Sequence, residues 1–168
     1  MKTSLLFDFS VDKENKKINV KREFDAPVDT VWAAWTQPAL LDQWWAPKPY
    51  VAKTKSMDFR EGGQWLYAMI GPDSDVPMWS LADYKKIEPL KSFSGLDAFC
   101  DENGNINMDF PRSLWQVSFN EEDETTTVEV AIEYEKLADL EKYIEMGFKE
   151  GFTMALGNLD DLLETLKK

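Results

Sequence analysis

Residues Thr125–Tyr134 read TTTVEVAIEY. Val128, Val130, Ile132 and Tyr134 alternate with Glu129, Ala131 and Glu133. A period of two places one set on each side of a β-strand, so one face is dry and the other wet. A sheet with one dry face has to bury that face against a second layer. Downstream the period changes. Ile144, Phe148, Phe152, Leu156, Leu159, Leu163 and Leu166 recur every three or four residues, with Asp160, Asp161, Glu164 and Lys167 between them on a wet face. That is the pattern of one long amphipathic helix, the only element large enough to cover the sheet. Gly147 and Gly151 each weaken its first turns by roughly 1 kcal/mol relative to Ala. Small residues there leave room for a bend or for close approach to a strand.

Upstream, Leu5, Phe7, Phe9 and Val11 alternate with Leu6, Asp8 and Ser10, "DKENKK" turns the chain, and Ile18, Val20 and Phe24 alternate again. This predicts an opening hairpin. Pro27 then suits an early helical position, and Val28, Val31, Trp32 and Trp35 form one helical face. Pro38 opens a second short helix carrying Leu41, Trp44 and Trp45, which Pro47 and Pro49 end. From Tyr50 onward, short alternating segments separated by "REGGQ", "GPDSDVP", Glu88-Pro89, "DENGNINMDFP" and "NEEDE" predict a meander. The predicted fold is α+β: an antiparallel sheet of about seven strands around a long C-terminal helix, with two short helices after the opening strands. Residues 1–168 read as a single domain without repeats or linkers.

The formal net charge of −12 repels phosphate backbones and anionic lipid, which argues against nucleic acid and membrane surfaces as partners. The apolar run of the N-terminus "MKTSLLFDFS" stops at Asp8, and no segment reads as a membrane span. There is no histidine, which removes Ser-His and Cys-His catalysis and histidine-ligated metals. No metal or other cofactor is expected. Cys100 is the sole cysteine and reads as a free strand thiol, and a cytoplasmic location is expected.

Aromatics are the sharpest local feature. Trp65, Tyr67 and Met69 share one face of a strand, Phe93 and Phe99 lie on another, Trp115 on a third, and Phe148 and Phe152 on the helix. Any one of them taken alone reads first as core packing. Other candidates are weaker. "DENGNINMD" fails as a calcium loop, because its sixth position is Ile106 and its twelfth Arg112. "REGGQ" joins strands and lacks the Lys-Ser/Thr of a phosphate loop. Asp83 and Asp97 lie mid-strand. Each either faces solvent or a basic partner, or points inward as an acid–base group, and the first arrangement is expected.

The stretches "REFDAPVDTVWAAWTQPALLDQWWAP", "DFREGGQWLYAMIGPD", "SGLDAFCDENGN" and "MGFKEGFTMALGNLDDLL" resemble the family of homologues of the heat shock protein 90 ATPase activator, of its C-terminal-domain type, within the START-like, birch-pollen-allergen-like superfamily. The resemblance implies a helix-grip fold, with the short helices forming a V at one end and a pocket for an apolar or amphipathic molecule between helix and sheet. Adjacent helical residues diverge by about 100°, so one of Trp44 and Trp45 is expected to plug the core and the other to face a pocket mouth or the surface. The leading functional reading is a binding module for a small, largely apolar ligand contacted by Trp65, Tyr67, Met69, Phe99, Trp115, Phe148 and Phe152. Two alternatives remain open. One is a domain that touches an ATPase chaperone, in keeping with a stress response. The other is a lyase or cyclase of the same superfamily using an inward Asp or Tyr. No catalytic residue is assigned, and the residue set leans against an enzyme.

Overall fold

The computed structural model describes residues 5–72 and 76–167. The chain runs β1 (Phe7–Asp12), β2 (Lys17–Phe24), α1 (Val28–Thr36), α2 (Pro38–Trp44), β3 (Val51–Met57), β4 (Gln64–Ile70), β5 (Met78–Glu88), β6 (Ser92–Cys100), β7 (Ser113–Glu122), β8 (Thr125–Tyr134), α3 (Leu137–Glu145) and α4 (Phe148–Leu166). The strands form one 8-stranded sheet in the order β1-β2-β8-β7-β6-β5-β4-β3, so there is one strand more than the expected count of about seven. Every pairing is antiparallel. The meander from β3 to β8 is closed by the opening hairpin, whose β2 docks on β8 with Val20 opposite Val130. Register shifts at Thr54/Ser56 and Tyr84/Ile87 put bulges in β3 and β5, and bulges bend a sheet toward whatever it wraps.

The dry face of β8 behaves as its alternation requires. Val128, Val130, Ile132 and Tyr134 are buried together with Ile18 and Val20 of β2 and with Phe152, Ala155, Leu156, Leu159, Leu162 and Leu163 of α4. The edge strand β1 starts at Phe7 rather than Leu5, and its inner face is only half covered. Phe9 reaches the Phe148 ring at 6.3 Å, while Phe7 and Val11 stay exposed beyond the helix.

Two expectations about the C-terminal region are corrected. The long helix is present as α4, but it does not reach back to Ile144. Gly147 has φ 90°, a left-handed conformation that an L side chain resists and an α-helix cannot carry, so α3 ends and α4 starts there. Ile144 therefore belongs to α3, whose Leu140 is fully buried. Asp160 is not a solvent-facing residue. Its carboxylate accepts a hydrogen bond from the Arg22 guanidinium of β2, which also lies over the Phe7 and Phe24 rings at 5.2 and 5.4 Å. Burial raises the Asp160 pKa, Arg22 opposes that shift, and Asp161 and Glu164 add to it.

The two short helices close one end of the fold. Trp44 is fully buried, and its Nε1 donates to the Ala34 carbonyl of α1 at 2.8 Å. Asn158 of α4 is buried and donates to the carbonyls of Ala46 at 3.1 Å and Trp44 at 3.4 Å, satisfying the groups that the end of a helix leaves open. Asp42 of α2 accepts from both the amide and the hydroxyl of Thr54 at 2.9 and 2.6 Å, which fixes the helix to β3. Among the described residues no helix is long and apolar enough to cross a membrane.

Candidate functional site

Beside this closed end, sheet and helices stand apart around a cavity of about 280 Å³. Strand parity decides what faces it. On β4 the residues are Trp65, Tyr67 and Met69; on β5, Met78, Ser80, Ala82 and Tyr84; on β6, Phe93, Gly95, Asp97 and Phe99; on β7, Ser113, Trp115 and Val117. In each series every second residue projects to the same side. Phe148 and Phe152 of α4 and Tyr143 of α3 complete the far wall. All seven residues singled out from the sequence, Trp65, Tyr67, Met69, Phe99, Trp115, Phe148 and Phe152, therefore meet in one space. Met78 and Met146 also line it while remaining 52% and 49% exposed, which puts them at its rim.

The tryptophan pair divides as the helix geometry requires. Trp44 plugs the core, and Trp45 lines the cavity. The Trp45 ring packs edge-on against Trp65 (5.5 Å) and Phe152 (6.2 Å) and tilts onto Trp115 (5.7 Å). Edge-to-face contacts of this kind contribute about 0.5–1.5 kcal/mol beyond burial, and they hold the rings as a rigid wall. The Trp45 Nε1 donates to the Tyr67 hydroxyl at 3.0 Å, and Tyr67 stacks on Trp65 at 4.0 Å. The Trp65 Nε1 in turn donates to Thr54 at 3.0 Å, the same hydroxyl that donates to Asp42. A chain of side-chain contacts thus fixes the aromatic wall to the base of α2. Burial raises the Tyr67 pKa far above its ordinary value, so its hydroxyl stays neutral.

Asp97 overturns one expectation and Asp83 meets it. Asp83, on the opposite face of its strand, bonds Arg112 at 2.6 Å and Gln64 at 2.9 Å. Its pKa is lowered, because these hydrogen bonds and the Arg112 charge outweigh its partial burial. Asp97 points inward. One carboxylate oxygen accepts from the Ser113 amide at 2.8 Å and the Ser113 hydroxyl at 2.7 Å; the other accepts from the Trp115 Nε1 at 2.9 Å. Arg112 donates to the backbone carbonyls of Asp97 and Leu96 and to Asp83, not to the Asp97 carboxylate. Desolvation raises the Asp97 pKa against the pull of these donors and of the Arg112 charge. Asp97 is the only charged side chain in the cavity wall among the described residues. A second polar feature is the buried Nε1 of Trp35, a wall residue that has no hydrogen-bond partner among the described residues.

Asp97 carried a readable signal. Phe93 and Phe99 lie six residues apart on β6, so a strand that turns both inward turns Gly95 and Asp97 inward too. Ser113, two residues from Trp115 on β7, and Tyr134, on the dry face of β8, carried the same kind of parity signal; Tyr143 carried none, since its place at the cavity depends on how α3 meets the sheet. The remaining candidates keep their plain readings. Cys100 is a half-buried thiol whose pKa is pushed up to about 11 by burial and by Asp101. The Asp101 carboxylate is occupied by the amides of Asn103 and Asn105, as in an ordinary turn.

Residues 25–164 match the family described as activator of Hsp90 ATPase homolog 1-like protein. Among solved structures, one from Mycobacterium smegmatis is 31% identical, with a TM-score of 0.85 over 93% of this chain and 95% of that one. One from Arthrobacter aurescens is 28% identical, with a TM-score of 0.88 over 94% and 91%. One from Staphylococcus epidermidis is 25% identical, with a TM-score of 0.81 over 93% and 94%. No match is found among curated proteins. The matched region spans α1 to α4, including both short helices and every wall of the cavity, and it places the chain in the activator of Hsp90 ATPase homolog 1-like family, within the START-like superfamily of ligand-binding-type domains.

Proposed function

We propose that this protein is a binding module for a small, largely apolar molecule held between the sheet and α4. The observation that carries this reading is the cavity itself: about 280 Å³ of space left open among aromatic side chains that, packed together, would have closed it. Protein interiors are normally packed with few voids larger than a water molecule. An apolar cavity of roughly 150 Å³ already binds benzene, so this space accommodates two fused rings. Anything that binds only the folded state raises its stability by mass action. A thermal-shift screen of isoprenoids, fatty acids and polycyclic aromatics is therefore expected to give hits, and native mass spectrometry is expected to retain them. Phe152→Ala should change the affinity of each hit, and Asp161→Ala should not. An empty screen at saturating concentration would remove this reading and move contact with an ATPase chaperone, to which the family description points, into the lead.

A second reading, a lyase or cyclase, draws support from the inward carboxylate of Asp97 as a candidate acid–base group. Chemical conversion of a bound hit by the wild type and not by Asp97→Asn would establish it.

A further inference from the structure

We propose that the cavity selects an apolar molecule carrying a cationic amine, and discriminates against the carboxylate of the same skeleton. This rests on the ligand-binding reading above and assigns its chemical class. The argument starts from the wall's charges. Asp97 supplies a carboxylate, and no Lys or Arg among the described residues lines the cavity to neutralise it. The nearest guanidinium, Arg112, bonds the carbonyls of Leu96 and Asp97 and the Asp83 carboxylate on the far side of the strand. Burial disfavours the ionised Asp97 carboxylate more than its hydrogen bonds and the Arg112 charge favour it. An ammonium group in the cavity offsets that penalty, while a ligand carboxylate adds to it.

The rest of the wall agrees with a cation. Trp115, which donates its Nε1 to Asp97, packs its ring against Trp45, Phe148 and Phe152 at 5.7, 6.0 and 5.5 Å. The carboxylate therefore sits at the border of an aromatic box. Aromatic faces attract cations through their quadrupoles, most strongly when both are out of water. The remaining polar groups in the wall include the Tyr67 hydroxyl, kept neutral by burial and able to accept a hydrogen bond from an ammonium N–H.

The test uses three probes that share one bicyclic skeleton: 2-naphthylmethylamine, 2-naphthylmethanol and 2-naphthoate. Each is titrated calorimetrically into the full chain at neutral pH and about 0.15 M salt, where the general attraction of an acidic protein for cations is screened. The amine is expected to bind at least about tenfold more tightly than the alcohol, since charge-assisted hydrogen bonds are roughly twice as strong as neutral ones. The naphthoate is expected to bind most weakly. Asp97→Asn keeps the side chain's size and should bring the amine down to the alcohol. Labelled wild type gives a reading that needs no variant: the amine's methylene should show a nuclear Overhauser contact to the Trp115 indole N–H and shift the Asp97 carboxyl resonance. Alcohol binding as tight as amine binding overturns this inference and leaves the apolar-ligand reading intact. A preference for the amine that survives in folded Asp97→Asn, or that comes without the Trp115 contact, overturns it as well. Absence of binding by all three overturns it too, and the separate broad screen then decides whether the cavity reading falls with it.

Discussion

The two ends of the helix–sheet sandwich are built from the same residue types and end in different states. At the closed end, Trp32 meets Phe59 and Phe119 at 5.9 and 5.1 Å, and Trp44 packs at 4.8 Å on Trp35, whose other side borders the cavity. At the open end, Trp45, Trp65, Tyr67, Trp115, Phe148 and Phe152 are equally close to one another but leave a space in their midst. The difference lies in what stands over them. α1 and α2 lower their tryptophans onto the sheet at one end, and the second half of α4 adds Leu156, Leu159, Leu162 and Leu163. At the other end α4 is just starting. Its first turn follows the left-handed Gly147, and Gly151 faces the cavity without a side chain. Aromatic content alone therefore does not separate core from cavity wall; the elements laid across it do.

The sharpest way to break this contrast is to truncate one residue at each end. Leu159 is fully buried at the closed end. Leu159→Ala should lower stability by about 2–5 kcal/mol, because the void it leaves cannot collapse. Phe148 is half-buried and already borders open space. Phe148→Ala should cost no more than about 2 kcal/mol despite its larger side chain, well under the usual cost of a core Phe→Ala change. Urea midpoints measured at constant slope check both. Equal losses would mean that the open end is as tightly packed as the closed one.

The Arg22–Asp160 pair comes next in size. It ties β2 to α4 beside the closed end, with the Arg22 side chain mostly buried. Asp160→Ala should cost about 1–3 kcal/mol by leaving that guanidinium without its carboxylate. Asp161→Ala, on the exposed face of the same helix, should stay within about 0.5 kcal/mol. A urea series with both variants separates them.

That pair also marks where sequence reading stops. The alternation of Val128–Tyr134 and the three-to-four spacing of Phe148–Leu163 were enough to order the elements, because each period reports a burial pattern that its own segment imposes. Asp160 sits between apolar positions and reads as wet on the same rule. Only the arrival of Arg22, 138 residues away, makes it half-buried. The helix break at Gly147 was open to view as a weak point, but a bend and a full stop look alike until the backbone angle is known. At the site, parity on β6 fixes Asp97 once Phe93 and Phe99 are turned inward. Whether Arg112 would neutralise it depends on a side chain reaching across the strand to Asp83, which spacing does not encode.

Acid titration sharpens the same contrast. The folded-state pKa of Asp97 is raised by desolvation, so between its unfolded value near about 3.9 and its folded value the native protein holds a proton that the unfolded chain has released. Stability from this group is thus fully present below the unfolded pKa and is lost as pH rises through the folded one. Asp83 runs the other way: its pKa is lowered, and its contribution is lost as pH falls through the folded value. The stability advantage of wild type over Asp97→Asn should therefore shrink as pH rises from about 4 to about 7. An advantage that grows over that range would place the Asp97 pKa below its ordinary value and make its hydrogen bonds stronger than its burial.

The smallest expected effect concerns the Trp45–Tyr67 hydrogen bond in the cavity wall. Tyr67→Phe deletes the hydroxyl that accepts from the Trp45 Nε1 at 3.0 Å and leaves the ring stacked on Trp65. In a dry core an orphaned donor costs about 1–3 kcal/mol. Here the indole borders a cavity with a half-exposed methionine rim, so water can take the place of the lost oxygen, and the cost should fall to about 1 kcal/mol or less. The corresponding bond at the closed end, Trp44 Nε1 to the Ala34 carbonyl, has no such outlet. Trp44→Phe strands that carbonyl and opens a void together, and should cost at least twice as much as Tyr67→Phe. Urea midpoints compare the two substitutions directly. If Tyr67→Phe proves the more damaging, water does not reach the wall, and the cavity is sealed from solvent.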